Sequence, residues 1–275
     1  MSERPKYEPK LRELCKSYLT KMGVPTDLFF PQRLDALLAH AAQQWEKALT
    51  ELMCDMGAAS IFGPAALWTL SGFAATQDVN SAPVQSNQYY PPWKMRLRVA
   101  YDFLERVGKM PERLKNLEVQ LKQAKLADHA NLLIPSIAQE QITFATNELA
   151  LEPMRELSIQ VYDLVEACLV DAASFVESKS LKFDHRWTET LNEVPSLLGR
   201  LSLHVPPSEL LESPKQESKA ASITGIVMAC WIERLRLEHS GKFELESFRR
   251  LCRLMLKAIE DSELKRSYLD WVAKK

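Results

Sequence analysis

The stretch that decides the fold is QRLDALLAHAAQQWEKALTELMCDM, residues 32–56. Its apolar residues recur every three or four positions: Leu34, Leu37, Leu38, Ala41, Trp45, Ala48, Leu49, Leu52 and Met56. At 3.6 residues per turn this spacing places them in one stripe, which a helix buries against a neighbouring element. The stretch therefore predicts a long amphipathic helix.

The same periodicity recurs along most of the chain, between segments that contain Pro or Gly. Further helices are predicted at about Tyr7–Met22, Pro64–Thr76, Trp93–Val107, Pro111–Ala127, Ile137–Leu149, Pro153–Ser178, Trp187–Leu201, Ala220–Leu237, Leu245–Ile259 and Ser262–Ala273. Alternating β-branched runs are absent from the sequence. We therefore predict an all-α fold, a multi-helix domain of about nine to ten helices in an orthogonal or irregular bundle.

A Pro/Ser-rich segment predicts a division near the C-terminal end of the chain. Residues 205–218 have the composition of a linker. We expect residues 1–204 to form a helical core domain and residues 219–275 to form a C-terminal helical subdomain packed on that core. In the subdomain, Phe248, Leu251 and Leu256 belong to an apolar stripe that predicts a buried face.

The composition is typical of a soluble globular protein. Apolar residues make up 46% of the 275 residues, and the formal net charge is −1. The five cysteines have wide spacings without a C-x-x-C motif; they are Cys15, Cys54, Cys168, Cys230 and Cys252. We expect buried, reduced thiols in a cytoplasmic protein. The first ten residues are too charged for a visible signal peptide.

The segment MGAASIFGPAALWTLSGFAATQ, residues 56–77, contains no charged residue. About 20 apolar residues suffice to cross a bilayer, so a membrane span is one interpretation. However, Gly63, Pro64 and Gly72 interrupt the segment, and Asp55 and Asp78 flank it in place of the basic residues that orient spans. We predict two helices buried in protein, and no membrane association.

Motifs that bind phosphate or metal are missing from the sequence. It contains no P-loop, no G-x-G-x-x-G and no H-E-x-x-H, and its five His are scattered. We therefore expect no nucleotide, no metal and no other cofactor, and assign no catalytic residue. Residues 94–125 hold nine basic and four acidic residues, which leaves nucleic-acid binding as a remote second alternative. An acidic segment follows directly. We therefore favour basic side chains that face solvent and partly pair with these acidic residues over a nucleic-acid interface.

The clearest loop in the sequence is Asp78–Pro92, which ends in an aromatic cluster. Tyr89 and Tyr90 precede two prolines, and Trp93 follows them. Tyr and Trp are enriched at the energetic centres of protein interfaces, so these three residues are candidates for a binding loop. The alternative is that the rings fold back over the helices of residues 56–77.

The segment WEKALTELMCDMGAASIFGPA, residues 45–65, resembles part of a bacterial group of zincin-like metallopeptidase homologues. The matching residues there are Trp45, Glu51, Asp55 and the Gly-Pro-Ala turn at residues 63–65, followed by Pro91, Pro92 and Arg96. Residues 231–264 also resemble the closing helices of that group.

This resemblance implies that Glu51 is a zinc ligand and that Asp55 orients a histidine ligand. Because the H-E-x-x-H helix is absent, the chain would be a degenerate or split component whose zinc-binding helix is missing. Glu51 and Asp55 have a structural alternative, as exposed helix residues or as caps of the turn after them.

The sequence favours a non-catalytic helical interaction or scaffold protein of the bacterial cytoplasm, with a protein partner. The metallopeptidase-like component, with zinc as its cofactor, is the alternative.

Overall fold

The structure is a computed structural model, and it describes residues 4–74, 91–133, 155–178, 186–210 and 219–274. Its helices are α1 (Arg4–Lys21), α2 (Phe30–Phe62), α3 (Pro64–Ala74), α4 (Trp93–Arg106), α5 (Met110–Gln123), α6 (Ala127–Ala130), α7 (Arg155–Ser178), α8 (Arg186–Thr190), α9 (Val194–Ser202), α10 (Ile223–His239) and α11 (Leu245–Ala273). A two-residue strand, β1 (Glu209–Leu210), pairs antiparallel with β2 (Lys219–Ala220), so that Glu209 lies opposite Ala220. The predicted all-α fold class is confirmed.

Two predicted helical segments differ from the structure. The helices predicted at Leu245–Ile259 and Ser262–Ala273 form one helix, α11, because residues 260–262 contain neither Pro nor Gly. Conversely, the helix predicted at Trp187–Leu201 is divided into α8, a 3₁₀ turn at Leu191–Glu193 and α9. Pro195 lies in the first turn of α9. It has no N–H, which a first turn does not need but the interior of a continuous helix does, so a new helix starts here. The helix predicted at Ile137–Leu149 lies outside the described residues.

The chain divides into two compact units. The first comprises Met1–Gly57, Leu70–Tyr101 and Ile142–Phe183, and the second comprises Ala58–Thr69, Asp102–Gln141 and Asp184–Lys275. Residues on both sides of the predicted linker at 205–218 belong to the second unit, so these units follow a different division from the predicted one.

The core of the first unit is formed where α1 packs on α7. Leu11 and Cys15 of α1 are buried, as are Val161 and Tyr162 of α7. Tyr7 anchors this contact: its ring lies 5.7 Å from that of Trp45, and its hydroxyl donates a 2.8 Å hydrogen bond to Asp171.

The centre of the second unit is α10, which contacts α6, α8, α9 and α11. Ser222 caps its first turn, since its hydroxyl oxygen accepts a 2.9 Å hydrogen bond from the backbone N–H of Gly225. The Glu193 carboxylate in turn accepts hydrogen bonds from both the backbone N–H and the hydroxyl of Ser222. The start of α10 is thereby attached to the turn before α9.

Trp187 is the largest fully buried side chain among the described residues of the second unit. A Cβ atom at Gly63 would lie 2.5 Å from its indole ring, and one at Gly108 would lie 2.6 Å from it. Gly63 also has a φ of +56°, which glycine adopts without the penalty that other residues incur. Glycine is therefore required at residue 63 both to end α2 and to admit the indole.

Burial of the uncharged segment agrees with the prediction at Ala65, Leu67, Trp68 and Leu70, whereas Ile61 and Phe73 of the same segment are exposed. Among the helices of the described ranges, none is both long and apolar enough to cross a bilayer.

The expected burial of all five cysteines is wrong for Cys54, which is exposed, while Cys252 is partly exposed. The predicted buried stripe of residues 245–259 is also largely wrong. Leu251 is buried, but Phe248 and Leu256 are exposed, because α11 presents only a narrow face to its neighbours.

We predict that Gly63→Ala destabilises the protein by about 2 kcal/mol or more, because a Cβ there combines a left-handed backbone with a clash against Trp187. Gly199→Ala is the matched control, since Gly199 lies inside α9 and a Cβ at that residue would meet no atom within 4 Å. It should stabilise by about 0.5–1 kcal/mol. Urea unfolding of the three proteins measures both changes, and equal stability of the two variants would contradict the packing argument.

Candidate functional site

The structure brings Glu51, Asp55 and Arg96 together in the first unit. Glu51 and Asp55 lie one turn apart on α2, and Arg96 lies on α4. Arg96 donates two hydrogen bonds to Asp55, Nε to Oδ2 at 2.7 Å and Nη2 to Oδ1 at 2.8 Å. Its Nη2 also lies 3.6 Å from Glu51 Oε2. The three residues form a fork-shaped ion pair with a second carboxylate at its edge.

The charge of Asp55 is deeply buried in this cluster. Its side chain is 7% exposed, and that of Arg96 is 12% exposed. Burial raises the pKa of Asp55, and the hydrogen bonds and charge of Arg96 offset only part of that effect. Both carboxylate oxygens of Asp55 accept hydrogen bonds from Arg96, so Asp55 is in a buried ion pair and is neither the exposed residue nor the helix cap of the structural alternative.

The third predicted binding residue, Trp93, is the first residue of α4 and is buried. Its ring stacks on Phe73 with centroids 6.3 Å apart, and the Arg96 guanidinium lies 4.8 Å from the ring centroid. The Trp93 ring is therefore packed against a helix of residues 56–77 and is not exposed on a binding loop. Tyr89 and Tyr90 lie outside the described residues, so their role as a binding patch stays a prediction.

A second buried charge cluster lies in the second unit, around Glu233 of α10. His129 of α6 places Nε2 at 2.7 Å from Glu233 Oε2. Arg236 donates two hydrogen bonds to the same carboxylate, Nε to Oε2 at 2.9 Å and Nη2 to Oε1 at 2.6 Å. Burial acts to raise the pKa of Glu233, but the hydrogen bonds from Arg236 and His129 outweigh it and lower the pKa to about 2.

The remaining ring nitrogen of His129 has no hydrogen-bond partner among the described residues. Nδ1 is buried, and the whole residue is 5% exposed. Because the ionised Glu233 carboxylate only accepts hydrogen bonds, Nε2 carries the hydrogen of that contact, and in the neutral ring Nδ1 is an acceptor. His129 and Glu233 line a cavity of about 390 Å³, together with residues that follow α5 and α9.

Sequence reasoning missed this cluster because its members are distant along the chain. His129 and Glu233 are 104 residues apart, and no motif connects them. Glu233 was visible only as a charged residue within the otherwise apolar start of α10, where Ile226, Met228 and Ile232 are buried. A charge at a core-facing position of a helix is the signal that could have identified it.

The basic segment 94–125 is partly neutralised within the fold. Arg96 pairs with Asp55, Arg98 forms an ion pair with Glu166, and Arg113 donates a hydrogen bond to the carbonyl of Gly108. Each of these cations is held by the chain itself. Within the described ranges, no three His, Cys, Asp or Glu side chains converge in a way that could hold a metal ion.

Comparisons with protein-family models, curated proteins and solved structures give no match. The resemblance to zincin-like homologues therefore stays a prediction, and the function is argued from this chain's own residues.

We predict that Arg96→Met destabilises the protein by about 3–5 kcal/mol, because it leaves the buried Asp55 charge without a partner. Adding Asp55→Asn should recover part of the loss. Arg98→Met is the control on the same helix: its pair with Glu166 is more exposed, so the cost should be at most about 1 kcal/mol. Chemical unfolding at pH 7 measures all four proteins. If the Arg96 and Arg98 variants lose the same stability, the buried pair does not have the structural role inferred for it.

We also predict an acid-sensitive contribution from Glu233. Its pKa is lower in the folded protein than the ordinary 4.5, so the ionised form stabilises the fold above pH 4.5. That stabilisation is lost as the pH falls from 4.5 towards 2. Glu233→Gln should flatten the pH dependence of stability in this window, while Glu238→Gln, an exposed residue paired with Arg234, should not. Unfolding free energies between pH 2 and 7 test this, and an unchanged profile for the Glu233 variant would contradict it.

Proposed function

We propose that this chain is a non-catalytic helical interaction protein of the bacterial cytoplasm, and that it binds another protein through an apolar stripe on α11. The stripe consists of Leu264, Tyr268, Trp271 and Val272. Their exposed fractions are 67%, 61%, 53% and 45%, and this exposure is the observation that carries the proposal.

The spacing of the stripe residues matches a known mode of recognition. They lie at positions i, i+4, i+7 and i+8, which places all four on one face of α11. Helices that dock into an apolar groove of a partner present anchors with this spacing. Tyr and Trp, two of the four, are the residue types most enriched among interface hot spots.

Most of the stripe lies C-terminal to two hydrogen-bonding residues that attach α11 to its own unit. Ser262 is buried and donates a 2.6 Å hydrogen bond to the carbonyl of Ala221, and Arg266 donates to the same carbonyl. From Ser267 to Lys274 every residue is exposed. A helical end that buries little apolar surface is marginal in water, so a partner that covers the stripe would stabilise it.

The charges beside the stripe indicate what kind of partner it suits. Lys257 pairs with Asp261, and Lys265 pairs with Glu209. Because these charges are satisfied within the chain, recognition depends on apolar contact rather than on charge. The partner we propose is therefore a protein with an apolar groove, and its affinity should change little with salt. A cytoplasmic setting is supported by the free thiols of Cys15, Cys168 and Cys230.

We predict that a photo-crosslinking residue at Tyr268 captures this partner in cells, and that Trp271→Ala weakens its purified complex about thirtyfold, the cost of losing an interface hot spot. Leu203→Ala is the control, because Leu203 is 73% exposed but lies far along the chain from the stripe. Both substitutions should leave the melting temperature nearly unchanged.

Isothermal titration calorimetry measures the two affinities, and equal affinities would overturn the proposal. Sedimentation equilibrium provides a second test. If the chain alone forms a dimer that Trp271→Ala dissociates, the stripe is a self-association surface, and the proposed partner is wrong.

A further inference from the structure

The cavity beside His129 has features that the proposed interaction surface does not use. We propose that it is a binding site for a small organic carboxylate, whose charged group contacts Lys125 and Arg236 and lies beside His129 and His204. The alkyl part of the ligand would lie against Leu126 and Leu201. All of these residues line the cavity. Its volume of about 390 Å³ falls in the range of small-molecule sites.

The polar groups of the cavity that the chain leaves for a ligand include the donors of two cationic side chains, Lys125 and Arg236. The Glu233 carboxylate is already occupied by His129 and Arg236. Arg236 uses Nε and Nη2 for this pair, which leaves its Nη1 donors for a ligand. His129 Nδ1 is buried without a partner among the described residues.

The charged groups of the cavity differ in how far the chain already engages them. Lys125 and Arg236 carry two positive charges, and Asp128 and Glu233 carry two negative ones. Because Glu233 is engaged by His129 and Arg236, a second carboxylate has the Lys125 ammonium and the remaining Arg236 donors to contact. The exposed Asp128 opposes a dianionic phosphate more strongly than it opposes a monoanionic carboxylate.

The backbone conformation of two lining residues independently indicates that this cavity binds a ligand. Lys125 has a φ of +61°, and His204 has a φ of +58°. Each follows a helix in the same closing motif: the N–H of Leu126 bonds to the carbonyl of Leu121 after α5, and the N–H of Val205 bonds to that of Arg200 after α9. Glycine is the favoured residue at the left-handed position of this motif.

Two other helices with the same closing motif do have glycine at that position. Gly23 follows α1 with a φ of +70°, and Gly241 follows α10 with a φ of +67°. Neither glycine lines the cavity. A basic side chain thus replaces glycine at the two helix ends that line the cavity, against the local conformational preference. Ligand binding is a reason for that exchange.

The experiment uses the full chain labelled with ¹³C-histidine, in which the five histidines can be assigned by substitution. Hexanoate is the probe, hexanamide its neutral counterpart, and inorganic phosphate the dianionic comparison. We expect hexanoate to shift the ring signals of His129 and His204 saturably, while hexanamide leaves them unchanged. Binding of hexanamide with equal affinity, or no saturable shift with hexanoate, would overturn the proposal. Tighter binding of phosphate than of hexanoate would overturn the assignment to carboxylates.

Substitutions separate binding from folding. Lys125→Gly and His204→Gly relieve a left-handed backbone, so each variant should melt at the same temperature as the parent or higher. Each should nevertheless bind hexanoate about fivefold more weakly, the effect of losing one exposed polar contact. Lys109→Gly is the matched control: Lys109 also has a positive φ, +49°, but does not line the cavity.

A substitution of Asp128, which is exposed, tests whether the site prefers anions to cations. Asp128→Asn should tighten hexanoate binding, because it removes a like charge. Weaker binding by this variant, or unchanged binding by both glycine variants, would contradict an anion site. Since none of these variants touches α11, the outcome is independent of the partner-binding experiment.

Discussion

The indole of Trp187 occupies a space that exists only because residues 63 and 108 have no side chains. This contact determines much of the second unit. The ring sits at the start of α8, which contacts α10, and α10 in turn contacts α6, α9 and α11. The helices that carry His129 and Ser262 therefore pack on α10, which carries Glu233 and contacts α8, the helix held by this close packing. Interiors packed at this density transmit a displacement instead of absorbing it.

At two buried carboxylates, desolvation and hydrogen bonding act in opposite directions on the pKa. Asp55 receives two hydrogen bonds from one arginine, and its pKa is raised. Glu233 receives hydrogen bonds from both an arginine and a histidine, and its pKa is lowered to about 2. In both cases desolvation opposes the charged form. At Glu233 the additional contact from His129 helps the ionised form to prevail, which is consistent with a stable anchor for the imidazole.

The sequence was sufficient to predict the fold class, because helical periodicity is a local property. It also located the break between α2 and α3, since the Gly-Pro pair at residues 63–64 combines a helix end with a helix start. Periodicity could not show what covers an apolar stripe. The stripe of α2 is buried at Trp45 and Leu52, whereas Phe248 and Leu256 of α11 are exposed. The two patterns look alike, and tertiary contacts alone distinguish them.

The candidate sites were harder to predict for the same reason. Glu51, Asp55 and Arg96 were identified from a resemblance, but the sequence did not show that Arg96 engages both oxygens of Asp55. The cavity site had one local signal that sequence reasoning did not use. A helix that ends without glycine at the left-handed position departs from the usual preference, and α5 and α9 both do so. Departures from local preference concentrate at functional sites, because a side chain that binds a ligand is retained at some cost in stability. Two such departures at one cavity, beside a buried nitrogen that has no partner in the described part of the chain, are more informative than either alone.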